Sequence, residues 1–281
     1  MTTPYQQQAP QQYPPQGVAS YVSPIPVRRA TLGDALASEW TKIRSVRSTV
    51  WTLGVMILLV LGIGLLSTLL ISSSGADLDG TPVLSLGFFG VLLGSIPVIT
   101  LGVMTVASEY GTGMIRTTLT ACPSRARVLT AKSIVFFALA FVITLVTTAV
   151  VGALQTAMLD GATTTGEDWL RATVGVSLYI ATLGLLSLAV GSLIRHSAGA
   201  ITIMIGVVLL PLVLAMFMFS ESLTDLQQAL FEYSIPNQLG VFYDASVTPS
   251  GPSGWDPLWI LAGVTAVTLG GAFLALEKRD V

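Results

Sequence analysis

The segment Glu109–Lys132, EYGTGMIRTTLTACPSRARVLTAK, holds most of the side chains in this sequence that could do chemistry. A carboxylate, Glu109, stands at the end of a long apolar run. Gly111 and Gly113 allow a tight exit from that run. Met114, Ile115 and Leu119 can then share one face of a short helix with Arg116 beside them, and Pro123 stops the helix. The bland reading is a basic turn obeying the positive-inside rule, but it does not explain an acid held at the end of a span or exposed Met114 and Ile115 in a loop. Elsewhere reactive groups are scarce. One histidine, His196, and one cysteine, Cys122, are too few for a His/Cys metal cluster or an internal disulfide. The sequence has no G-x-x-x-x-G-K-[ST] nucleotide loop and no H-E-x-x-H. A serine nucleophile would lack a buried partner base. The expectation is a non-enzyme with no catalytic, metal or cofactor site.

A second patterned segment is TLGDALASEWTKIRSVR, residues 31–47. Thr31 and Asp34 have capping-box spacing. Leu32, Leu36, Trp40 and Ile43 recur at three or four residues, the mark of an amphipathic helix. Lys42, Arg44 and Arg47 add positive charge. The pattern predicts a helix lying in a membrane interface, serving as an anchor or as a contact for a partner.

The elements that must carry these segments follow from composition. Of 281 residues, 52% are hydrophobic and only 10% charged, against roughly 25% charged in an ordinary soluble domain. Such a chain cannot cover a soluble surface, so its main solvent is lipid. Uncharged runs long enough to cross a bilayer occur at about 49–72, 83–107, 133–154, 174–194, 197–220 and 258–276. They are continuous rather than alternating, which excludes barrel strands, and backbone groups in lipid must pair within the segment. The predicted fold is all-α and polytopic, with six transmembrane helices forming a domain over 48–281. Residues 1–30, rich in Gln and Pro, have no hydrophobic period and read as a disordered tail.

Charge sets the orientation. All 13 Lys and Arg residues except Arg171 fall on one side of the predicted spans, while Asp160, Glu167, Asp168, Glu221, Glu232, Asp244 and Asp256 are among the acids on the other. The positive-inside rule puts both termini in the cytoplasm of a cell-membrane protein. Trp51, Trp255 and Trp259 sit where interfacial belts are expected. The 13 basic and 15 acidic residues nearly cancel, which leaves no field to hold nucleic acid. The six runs contain no ionisable residue, so a proton relay is not expected. Ser95, Thr100, Thr105 and Thr202 should hydrogen-bond their own helices or a neighbouring one, and Gly90-x-x-x-Gly94 should allow close helix approach. Pro97 and Pro211 should kink the second and fifth spans. Loop 221–257 should form short helices resting on the outer edge of the membrane, followed by an irregular turn.

The order Glu109-Tyr110-x-x-Gly113-x-Ile115-Arg116-x-Thr118-Leu119, then Pro123-x-Arg125 and Leu129-x-Ala131-Lys132, resembles the permease subunits of ABC transporters of the ABC-2 type. Glu39-Trp40-Thr41-Lys42-Ile43-Arg44-Ser45 before the first span and Tyr233-Ser234-Ile235-Pro236-Asn237 before the last resemble the same family. The likeness covers about residues 36–281; Gly111 departs from it, where many relatives carry a polar or basic residue. It implies a permease that pairs as a homodimer or with a sister permease and works with a separate ATP-binding subunit. It further implies that Glu109, Thr112, Gly113, Met114, Ile115, Arg116 and Leu119 form the ATPase-coupling element. Leu36, Trp40, Lys42, Ile43 and Arg44, on the interfacial helix, would make a second contact. Spans two and five would line the path of an exported apolar or amphipathic cargo. The competing expectation is a membrane-embedded accessory or immunity protein without transport.

Overall fold

The computed structural model describes residues 30–75, 78, 80–159, 164–246, 248 and 250–278; most of the tail expected at 1–30 lies outside them. The chain is all-α, and no strand occurs among the described residues. Its helices are α1 Leu32–Ser45, α2 Arg47–Ser74, α3 Phe88–Gly111, α4 Met114–Ala121, α5 Arg125–Met158, α6 Gly166–Leu170, α7 Val176–Ile194, α8 Ser197–Met216, α9 Thr224–Glu232, α10 Ile235–Val241 and α11 Asp256–Lys278. A 3-10 turn at Val83–Gly87 leads into α3, and a π stretch at Arg171–Gly175 joins α6 to α7. Six continuous helical runs are long and apolar enough to cross a membrane: Arg47–Ser74, Val83–Gly111, Arg125–Met158, Gly166–Ile194, Ser197–Met216 and Asp256–Lys278.

Several boundaries differ from the apolar runs, each for a local reason. The fourth helical run starts earlier, because Thr165 and Asp168 close a capping box that draws Glu167, Asp168 and Arg171 into it. The fifth ends at Met216 although Phe217–Phe219 are still apolar; Gln227 Nε2 donates to Ala215 O at 2.9 Å and occupies a carbonyl at the helix end. The second and third run on to Gly111 and back to Arg125. Glu109 and Lys132 therefore lie inside the helices, just past the apolar runs 83–107 and 133–154, which themselves hold no ionisable residue.

Helix α7 is the central post, buried along most of its length, whereas α11 at the rim buries only a few of its residues. It packs on α3, α5, α8 and α11. Lipid offers no hydrophobic drive between helices, so close fit of small residues has to do the holding. A Cβ on Gly102 of α3 would lie 2.4 Å from the Gly184 carbonyl oxygen of α7, and one on Gly191 would lie 3.0 Å from the Val103 oxygen. The Gly90-x-x-x-Gly94 motif does what its spacing suggests: a Cβ on Gly90 would meet Val60 O of α2 at 2.9 Å, and one on Gly94 the Val60 side chain at 2.8 Å. We expect Gly102→Ala to force α3 from α7 and to cost about 1–3 kcal/mol, read as a lower melting temperature in detergent, whereas Gly206→Ala, which meets nothing within 4 Å, leaves it unchanged.

At the acidic end, Arg171 makes a two-pronged pair with Asp244 at 3.0 and 2.9 Å and reaches Asp168 at 3.1 Å. The basic residue that breaks the charge asymmetry is thus neutralised where it stands. The segment 221–257 does form short helices, but α10 does not rest on the edge. Every residue of Ile235–Val241 is buried, and α10 contacts α3, α8 and α11. Ser234 caps it by accepting from the Asn237 backbone N–H, with Pro236 in its first turn. Trp255 packs edge-on against Phe242, its ring 6.1 Å away, while Trp51 and Trp259 project outward.

Candidate functional site

The predicted coupling segment and the predicted interfacial helix meet at the basic end of the bundle. Helix α3 ends at Gly111, Thr112 caps it, and Gly113 reverses the chain with φ +72°, a conformation open to glycine and costly for a side chain with a Cβ. Helix α4 starts directly after it. Ser124 then caps α5 by accepting from the Arg127 N–H, so α3, α4 and α5 form a compact turn.

Ion pairs hold the turn together. Lys132 of α5 donates to Glu109 of α3 at 2.6 Å and to Glu39 of α1 at 2.9 Å. Lys42 of α1 donates to Glu39 at 2.7 Å and to the same Glu109 oxygen, Oε1, at 2.9 Å. Two ammonium groups and two carboxylates alternate in a closed, neutral square. The Lys132, Glu109 and Glu39 side chains are 2%, 4% and 6% exposed, and Lys42 is 27% exposed. Lys42 also reaches Thr118 Oγ1 of α4 at 3.3 Å, and Lys132 reaches the Thr105 carbonyl of α3 at 3.3 Å. The square therefore joins α1, α3, α4 and α5. Charges this deep need partners on every side, because an isolated one would cost several kcal/mol. Partial burial alone would lower the pKa of Lys42; its hydrogen bonds to Glu39 and Glu109 outweigh that and raise it above the usual lysine value. Lys42 is thus cationic at neutral pH.

The residues of the coupling segment separate onto two sides of α4. Met114 and Arg116 are exposed. Ile115 is buried, and with Leu119 it lines a small internal gap beside Val106, Tyr110, Val128 and Leu276. The expectation of Ile115 as a free apolar knob is corrected: next to α3 and α5, its side chain gains more by packing inside than by facing out. On α1 the capping box forms as its spacing implies, yet the apolar stripe is not what packs on the bundle. Ala35, Glu39 and Lys42 face inward toward α5, while Leu32 and Trp40 are 39% and 45% exposed, roughly a quarter turn away. Leu36 and Ile43 are half-buried and Arg44 is exposed.

The polar groups singled out within the apolar runs, and several near the helix ends, have structural partners. Ser95, Thr100, Thr105 and Thr202 all donate to carbonyls of their own helices. His196 caps α8, its Nδ1 accepting from the Gly199 N–H at 3.1 Å. The Arg195 guanidinium lies 4.8 Å from the centre of the Tyr110 ring, and Arg125 donates to the Leu276 carbonyl at 2.7 Å, which ties α5 to the end of α11. Sequence reasoning noticed Glu109 and placed Lys42 and Lys132 at boundaries, but it missed their closure with Glu39. The signal available was local: Glu39 and Lys42 are three apart on one helix, and Glu109 and Lys132 are the acid and base nearest the two ends of a single loop.

Between α1, α2 and α3 the square borders a cavity of about 660 Å³, lined by apolar residues such as Ile43, Leu101 and Met104 and by a row of threonine and serine hydroxyls. No group of three or more metal-binding side chains occurs among the described residues.

A family model described as "Protein of unknown function (DUF2705)" matches residues 65–281. That is most of the chain, which therefore belongs to this family. The match takes in Glu109 and Lys132 and leaves out α1 with Glu39 and Lys42. No curated protein matches the chain.

Proposed function

We propose that this DUF2705 member is the membrane-embedded permease subunit of an ATP-driven exporter of the ABC-2 type, working with a separate ATP-binding subunit. It hydrolyses nothing itself and carries no cofactor. One observation supports the reading most: α4 offers Met114 and Arg116 outward while its other face is joined to α1, α3 and α5 through Thr118, Ile115 and the buried square. A push on such a helix would move the ends of two apolar helices together as one body, and rigid-body motion of packed helices is a standard route to alternating access. The six apolar helices and the absence of a nucleotide loop fit a subunit whose energy comes from another chain.

In this reading the chain sits in the cell membrane with both termini cytoplasmic, pairs with itself or with a sister permease, and exports an apolar or amphipathic cargo. Helix α1 lies in the cytoplasmic interface, its exposed Leu32 and Trp40 toward lipid. The intact chain, purified from its own cells in mild detergent, is expected to retain an ATP-binding chain with ATPase activity. A reporter fused after Ser250 is expected to be active outside the cell and one after Cys122 inside. Purification without any ATP-binding chain, from cells where the topology holds, leaves the accessory or immunity reading in its place.

A further inference from the structure

The cavity between α1, α2 and α3 has no net charge to offer an occupant. Its ionisable lining residues are the four members of the square, Glu39, Lys42, Glu109 and Lys132, and these already cancel. Each lysine ammonium has three N–H donors. Lys42 uses its three on Glu39, Glu109 and Thr118, and Lys132 its three on Glu39, Glu109 and the Thr105 carbonyl. A cationic headgroup here would have no counter-charge, and an anionic one would find no spare N–H on either lysine. Both would leave an unpaired charge away from bulk water, which is costly. The site therefore selects for an uncharged occupant.

The volume, about 660 Å³, falls in the size range of small-molecule sites. The uncharged part of the wall has two textures. Ile43, Leu101 and Met104 make it apolar. Thr52, Thr100, Thr105, Ser108 and Thr112 line it with hydroxyls whose protons go to carbonyls of their own helices, so what they have left for an occupant is lone pairs. Ser48 and Thr49, at the start of α2, add further hydroxyls. We infer that this cavity binds an uncharged amphiphile whose headgroup carries a hydroxyl. The O–H donates to the threonine and serine oxygens of α2 and α3, and its own oxygen accepts from Ser48 or Thr49. The hydrocarbon part lies on Ile43, Leu101 and Met104. A plain hydrocarbon or an ether of the same size brings no donor and leaves that row of oxygens unmet. The inference deepens the proposed function by giving its amphipathic cargo a neutral, hydroxylated headgroup. Only the role as cargo rests on the transport reading; binding needs no ATP-binding chain.

The test uses the full chain in phosphatidylcholine nanodiscs, without a partner, and a radiolabelled octanol bearing a photoreactive diazirine as probe. Irradiation is expected to label the peptides that hold Ile43, Leu101 or Met104, saturably. Unlabelled octan-1-ol is expected to compete, and its isomer methyl heptyl ether, with no O–H, to compete about five-fold less well. Octylammonium and octyl sulfate, charged at the same chain length, are expected to compete at least about ten-fold less well than octan-1-ol. Met104→Trp, which fills the cavity away from the ion pairs, is expected to abolish the labelling of Leu101, and Thr100→Val with Ser108→Ala to weaken it about three-fold or more. The competition arms use the native chain, so they decide the matter even where a variant misfolds. Equal competition by the ether, competition by either charged analogue as good as that of octan-1-ol, or label that never saturates or falls only on lipid-facing residues overturns the inference. Failure here with an ATP-binding chain still co-purifying would leave the transport reading standing; binding here without such a chain would sink that reading alone.

Discussion

Lys132→Met lowers the melting temperature of the purified protein by on the order of 10 °C, corresponding to a loss of about 3–5 kcal/mol. Methionine conserves most of the volume, so the change is electrical. Without Lys132, Glu39 and Glu109 share only Lys42, and both carboxylates remain nearly buried. Removing a whole alternating pair behaves differently: Lys132→Met with Glu109→Leu leaves the Glu39–Lys42 pair within α1, three residues apart and still neutral, and recovers most of the stability. Thermal melts followed by intrinsic fluorescence check both. A Lys132→Met protein that melts within about 2 °C of the native one would mean that the carboxylates find solvent, and the closed square would then be wrong.

If the proposed transport function holds, Arg116→Glu is expected to reduce ATP-dependent transport in vesicles at least ten-fold while the melting temperature stays put. Arg116 is exposed and takes no part in the square, so its reversal falls among surface changes worth within about 0.5 kcal/mol of stability. Met114→Glu, on the neighbouring exposed position, behaves alike. Ile115→Ala serves as the contrast. Its side chain is 6% exposed, and truncation of a buried isoleucine costs about 2–5 kcal/mol, so it loses stability and transport together. If Arg116→Glu transports normally with its ATP-binding chain bound, α4 is not where force enters.

Local pattern made much of this architecture legible before any packing was known. The apolar runs are long and contain few charged residues, so six spans could be read from length alone. The capping box at Thr31, the turn at Gly113 and the stop at Pro123 are all short-range features, and each appears where its spacing puts it, α4 ending at Ala121 just before the proline. Helix ends were harder. The end of α8 is met by Gln227, which lies twelve residues past the carbonyl it bonds and outside the helix, and the ends of α3 and α5 run past the apolar runs because their charged residues are satisfied by other helices.

What the amino-acid order determined by itself is whatever one segment decides alone: helix rather than strand, the number of apolar helices, the separation of basic from acidic ends, and the lack of a nucleotide loop. Tertiary structure decided which face of each helix is inside. The stripe on α1 is apolar, but its inward face carries Ala35, Glu39 and Lys42; Ile115 looked available and is covered; α10 looked peripheral and is buried. The physical reason is that a charge far from water is tolerable only with its counter-charge, and the four members of the square come from three helices separated by as many as 93 residues between Glu39 and Lys132. No window of sequence contains that neutrality; it exists only once α1, α3 and α5 converge.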